Sequence, residues 1–170
     1  MTVDYTSTAF GQIRNYTWDK LKTAGILDYN DYIADGFIEP LVPIIPVQQV
    51  PEFNNLVGNS PYIIYDYDTS SYSDEWWICE ETIKFYVVSN DFSKIIQISQ
   101  FLIDVFRRMD TSASELNAWQ GDSGNFKFYT FSLVNASSPA PQDEEGGRVM
   151  SEIQISYKYS RFLDSNGNFI

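Results

Sequence analysis

Histidine is absent from the 170 residues, which removes the commonest general base and the commonest transition-metal ligand. Cysteine occurs once, as Cys79. No intramolecular disulfide framework is possible, and no zinc or iron–sulfur centre can be built from this chain alone. Cys79 lies in the apolar, strand-like run Trp76-Trp77-Ile78-Cys79, where a free thiol packs as a small hydrophobe, so it is expected to be inert and buried. Basic residues are scarce, 11 against 23 acidic, for a net charge of −12. Grip on nucleic acid depends on Lys and Arg displacing counterions from phosphates, and attraction to anionic membranes uses the same residues, so both partners are disfavoured. No apolar run approaches the roughly 18 residues of a membrane span. The opening Met1-Thr2-Val3-Asp4-Tyr5 has neither a basic nor an apolar region, which predicts no signal peptide and synthesis in the cytoplasm. The sequons at Asn15 and Asn135 are then chance matches. Nucleophile-elbow, phosphate-loop and dinucleotide fingerprints are missing too.

What remains is apolar and aromatic. Hydrophobic residues make up 44% of the chain and aromatics 16%, too many for a disordered protein despite the charge. A chain of this length fits one domain, residues 1–170, that buries roughly 70% of its unfolded surface.

The pattern predicts an N-terminal amphipathic helix over about 5–23, with Phe10, Ile13, Thr17 and Leu21 on one face and Gly25 as its stop. Residues 28–36 read as a short helix or a loop. Pro40, Pro43, Pro46 and Pro51 make 39–52 an extended, proline-rich segment that can hold only an edge or broken strand. Strands are expected at 61–67, at 76–89 after a polar loop at 68–75, at 126–134 after a turn at 121–125, and at 149–160. The last alternates Val149, Ser151, Ile153, Ile155, Tyr157 and Tyr159 with polar residues, implying an antiparallel sheet with one wet face. A helix capped by Asp91 or Ser93 carries the stripe Ile95, Ile98, Leu102, Val105, Met109. Arg107 and Arg108 end it, where the helix dipole favours cations over a ligand-clamping role. Ser112-Ala113-Ser114-Glu115 reads as a capping box for a short further helix. Residues 136–147 hold nothing larger than alanine among aliphatics and predict an exposed, flexible acidic loop. The expected fold is α+β: a single domain with a four- to five-stranded, largely antiparallel sheet covered by helices.

Carboxylates remain as candidate catalytic groups. Asp66 and Asp68 share a strand face, and Glu80 and Glu81 are adjacent; a two-carboxylate glycosidase needs such a pair about 5 Å apart. With 23 acids such coincidences are unavoidable. The turn Asp164-Ser165-Asn166-Gly167-Asn168 has its glycine too early for a calcium loop. Trp76 and Trp77 point to opposite strand faces, so at most one can line a sugar groove; one core and one interface tryptophan is the simpler reading. The chain is therefore expected to bind proteins and not to catalyse, with no cofactor and no metal.

The order of these elements carries a resemblance. An N-terminal helix leads to Leu41-Val42-Pro43-Ile44-Ile45-Pro46-Val47-Gln48-Gln49-Val50-Pro51-Glu52-Phe53. The strand Pro61-Tyr62-Ile63-Ile64-Tyr65, the strand–helix unit 80–109, Asp110-Thr111-Ser112-Ala113-Ser114-Glu115-Leu116-Asn117 and two closing strands follow. Over residues 39–161 this resembles the tail terminator (tail completion) proteins of tailed, especially contractile-tailed, bacteriophages. The resemblance implies a virion ring, usually of six subunits, that caps tail tube and sheath, docks to the head–neck connector and lets DNA pass through its lumen. Assembly would take place in the host bacterial cytoplasm, with no membrane partner. An acidic lumen would not hold the phosphates, and ring interfaces are rich in aromatics. Candidate interface or lumen residues are Trp76, Trp77, Arg107, Arg108, Asp143, Glu144 and Glu145. The alternatives are another neck or head–tail connector protein of the same particle or, in a different class, a carbohydrate-binding module or small acid–base hydrolase.

Overall fold

The computed structural model describes residues 8–47, 60–68, 77–121, 125–141 and 148–161. Helix α1 spans Ala9–Thr23. Thr8 caps it by accepting the Gly11 N–H at 3.2 Å, and Ile13, Tyr16, Thr17 and Leu21 form its buried face. At the other end Gly25 adopts a φ of 66°, which lets its N–H reach Lys22 O while the Ile26 N–H reaches Leu21 O. This paired closure, with buried Ile26 against the core, is the usual reason for a glycine after a helix. The ambiguous stretch that follows contains a 3-10 turn, Tyr29–Tyr32.

Strands β1 (Ile44–Pro46), β2 (Tyr62–Asp68), β3 (Cys79–Ser89), β4 (Phe126–Ala136), β5 (Ala140–Pro141) and β6 (Val149–Arg161) form one sheet in the order β1-β2-β3-β6-β4, with β5 also on β6. Only β1 runs parallel to its neighbour. It is a three-residue edge strand, as its prolines require, since proline cannot donate to a central ladder. The centre is β3 against β6, paired from Cys79–Tyr159 to Ser89–Val149. On one face Ile83, Phe85 and Val87 meet Ile155, Ile153 and Ser151 in register, and all six are buried. Helix α2 (Phe92–Phe106), capped by Asp91, lays Ile95, Ile98, Leu102, Val105 and Phe106 on that face. α1 and a third helix, α3 (Asp110–Gln120), pack beside it. The opposite face, at Glu80, Lys84, Gln154 and Lys158, stays in contact with solvent. The α+β reading with a largely antiparallel sheet holds; the short β5 brings the strand count to six.

Several boundaries differ from the sequence reading. β3 begins at Cys79 and not at Trp76; Trp77 lies in the turn before it. Cys79, at the strand's open end, is half-buried where full burial was expected. α2 stops at Phe106, because the chain reverses at Met109 with a φ of 48°. Met109 is therefore exposed and drops out of the apolar stripe. Ser112 is not a cap: α3 starts at Asp110, and Ser112 lies inside it, accepting from the Arg108 N–H at 3.2 Å and donating to Val105 O at 2.6 Å. The expected loop at 136–147 begins as sheet. Ala136 still pairs with Ile153, Ser137 and Glu152 exchange two hydrogen bonds of 2.8 Å, and β5 pairs with Val149 and Met150. The expectations for 48–52, 69–75, 142–147 and 164–168 fall outside the described residues.

Candidate functional site

Adjacent strand residues face opposite sides of a sheet, and this separates the two glutamates of β3. Glu80 points to the wet face, with Lys158 Nζ at 3.5 Å and the Ser156 hydroxyl at 3.3 Å. Glu81 points into the core and is only 9% exposed. Its Oε2 accepts from Tyr157, directly opposite on β6, at 2.7 Å, and its Oε1 from Tyr159 at 2.8 Å. Burial, reinforced by the Glu81 carboxylate, pushes both phenols well above the ordinary tyrosine range. With both oxygens engaged by phenols, Glu81 satisfies a buried polar network, and the sheet stands between it and Glu80. The pair cannot act together on one substrate.

Asp66 and Asp68 lie on the wet face of β2, opposite Lys84 and Thr82, and line an open cavity of about 150 Å³. Among the described residues no group of three or more His, Cys, Asp or Glu could hold a metal ion. None of their helices is long and apolar enough to cross a membrane.

The arginine pair sits at the end of α2. Arg107 is the C-cap residue and pairs with Asp104 at 2.9 Å. Arg108 grips both oxygens of Glu115 at 2.9 and 2.6 Å, and that hydrogen bonding raises its pKa further. Each guanidinium thus meets a carboxylate of its own helix or the next. With Lys20 and Phe101 they border an open cleft of about 360 Å³. Trp77 is 46% exposed in its turn, on a different part of the fold from that cleft. Trp76, Asp143, Glu144 and Glu145 lie outside the described residues.

Two surfaces escaped the sequence reading. The first is the outer side of β4. Near its start α3 shields it: the Asn117 side chain donates to Phe128 O at 2.8 Å and accepts from the Phe128 N–H at 2.9 Å, and Gln120 donates to Phe126 O at 3.3 Å. Beyond Phe131 that cover ends. Ser132 to Ala136 are all exposed, Val134 at 55%, and among the described residues no strand pairs with this side. The second surface is a loop. Leu41 N–H donates to Tyr32 O at 2.8 Å, closing residues 32–41 at the neck. Tyr32 is buried, its ring edge-on to Trp18 at 5.6 Å and its hydroxyl bonded to Pro61 O. At the tip Phe37 N–H reaches Ala34 O at 3.0 Å across Gly36, whose φ is 86°; such a turn favours glycine at that place. The tip presents Phe37 at 54% and Ile38 at 94% exposure. A signal existed for each: residues 126–141 contain no carboxylate, and the acidic stretch 28–39 contains the large apolar residues Ile33, Phe37 and Ile38.

No protein-family model matches the chain, and no curated protein matches it.

Proposed function

We propose that this chain is a structural virion protein of a tailed bacteriophage, a ring subunit that terminates the tail tube and sheath and docks them to the head–neck connector. One observation carries the assembly part of the reading: the open end of β4, where among the described residues no strand pairs with the outer side of Ser132 to Ala136, and Leu133 and Val134 are exposed. Native proteins blunt such an edge with charge, proline, a bulge or a cover, and β4 carries a register shift between Leu133 and Asn135. Among the described residues the cover, Asn117 and Gln120, protects only the first half, and in this reading a neighbouring subunit takes the rest. The order of elements over 39–161 supports the tail-terminator assignment. The net charge of −12 suits a lumen through which DNA slides, since phosphates find few cations to hold them. Six copies and a lumen-facing Asp143-Glu144-Glu145 segment belong to this proposal.

Immunogold microscopy of purified particles with antibodies against the chain tests it. Label at the head-proximal end of the tail, with tails of irregular length when the gene is deleted, is the expected result. Particles that carry no label, or carry it elsewhere, overturn the assignment.

A further inference from the structure

A molecule with 23 acids against 11 bases repels its own copies over most of its surface, so a contact between copies needs a place where cations gather. Lys20 of α1 and Arg107 and Arg108 at the end of α2 border the open cleft of about 360 Å³, where they outnumber the acids Asp104 and Glu115 and where Phe101 supplies an apolar wall. Lys20 makes no ion pair among the described residues; its ammonium lies over the Tyr16 ring at 5.3 Å. The two arginines are paired with Asp104 and Glu115, yet their side chains stay about half exposed. Pairs this wet add little to stability, and each guanidinium keeps N–H donors to spare for a second carboxylate.

A small free anion is poorly served here, because both arginines already hold carboxylates and the end of α2 carries the negative pole of its dipole. The cleft suits a ligand that brings acids and apolar groups together. This chain displays one. The loop 32–41 is closed at its neck by Leu41 N–H on Tyr32 O, and its tip turns tightly at Gly36. Residues 33–39 hold Asp35 and Glu39 and no base, and between the two acids Phe37 and Ile38 stand exposed. A closed turn of this kind can enter a cleft, and its conformation is already set, so little ordering entropy is lost on binding.

We infer that the acidic, apolar-tipped turn of one copy, Ile33 to Glu39, seats in the cleft of another copy. Asp35 and Glu39 meet Lys20 and the two arginines, and Phe37 and Ile38 meet Phe101. The two patches share no residue, so the contact is head-to-tail, the kind that closes into rings or runs on as filaments. The inference rests on reading the chain as an assembling subunit and adds which surfaces meet.

Charge reversal tests it. A loop variant carries Asp35→Lys with Glu39→Lys, and a cleft variant carries Lys20→Glu with Arg107→Glu; circular dichroism should show both folded as the parent chain is. In sedimentation velocity the parent self-associates, less so as salt is raised, and each variant alone is monomeric. Mixed in equal amounts the variants assemble again, because each reversed turn meets a reversed cleft and each native turn a native cleft. Ile38→Ser changes a side chain that is 94% exposed, so it keeps the fold even if a double variant does not, and it weakens the parent's association at least about tenfold. Parent-like association of any variant overturns the inference, as does a mixture of folded variants that stays monomeric. A parent chain that is monomeric at every concentration overturns it as well. Head-proximal label on particles would leave the ring assignment standing in each of these cases, so the two readings fail separately.

Discussion

Asn117 stands in for a missing strand at Phe128: its amide and carbonyl occupy the Phe128 C=O and N–H at 2.8 and 2.9 Å. The contact sits where the β4–β6 register shifts, between Phe128 and Thr130, so a side chain from α3 satisfies backbone groups that would otherwise lie on the open edge. Removing it strands both groups. Asn117→Ala should cost about 1–3 kcal/mol and lengthen the unprotected edge toward Phe126, with more self-association as a consequence. Hydrogen exchange at the Phe128 amide should accelerate; an unchanged rate would show that the side chain does not close this edge.

Glu81 and its two phenols form a network that is stable only while complete. Glu81→Leu leaves the Tyr157 and Tyr159 hydroxyls without their acceptor in the core, and a loss of about 3 kcal/mol is expected. Glu81→Gln keeps an acceptor oxygen and should lose less. The triple variant Glu81→Leu, Tyr157→Phe, Tyr159→Phe removes every stranded polar group and should recover much of the single-variant loss. Urea denaturation of the three variants measures this order. Equal losses for all three would refute the account.

Alkali should act through the buried phenols. Tyr16 is pushed up to about 12, by burial first and then by Glu115, and burial raises Tyr32, Tyr157 and Tyr159 as well. The folded state therefore holds these protons more tightly than the unfolded chain, in which tyrosine ionises near 10. Their stabilising contribution is complete below pH about 10 and falls as pH rises through the folded values. Tyrosinate absorbance should show exposed phenols titrating first and these four ionising only as the chain unfolds. All 12 tyrosines titrating together near pH 10 in a folded protein would contradict it.

At the α2–α3 corner the buried hydroxyl should outweigh the visible ion pair. Ser112 is buried and joins Val105 O to the Arg108 N–H, so Ser112→Ala is expected to cost about 1–2 kcal/mol. Arg108 and Glu115 keep side-chain exposures of 46% and 38%, and Arg108→Ala should cost less than about 1 kcal/mol. Thermal melts of the two variants check the ranking, and the reverse order would mean that the ion pair holds the corner.

Strand and helix types were readable because their causes are local. The β6 alternation, the α2 stripe, the Asp91 cap and the proline-limited edge strand each depend on neighbours within a turn or two of chain. The errors fell where distant groups intervene. Ser112 and Glu115 have the spacing of a capping box, yet the reversal at Met109 directs Ser112 to Val105 and Glu115 to Arg108. Leu133 and Val134 look like ordinary strand residues, and only the end of the α3 cover leaves them exposed.

By itself the sequence determined the class of the molecule: an α+β chain, strongly acidic, without imidazole and with one thiol, whose apolar periodicities set one sheet and the helices on it. Periodicity and composition act over a few residues, so they survive without a structure. The tertiary fold decided which glutamate is buried, where the carboxylates part company, and which strand edge and loop tip stay exposed among the described residues. Those are properties of surfaces built from residues far apart in the chain, and they exist only once the sheet has closed its register and the helices have covered as much of it as they can reach.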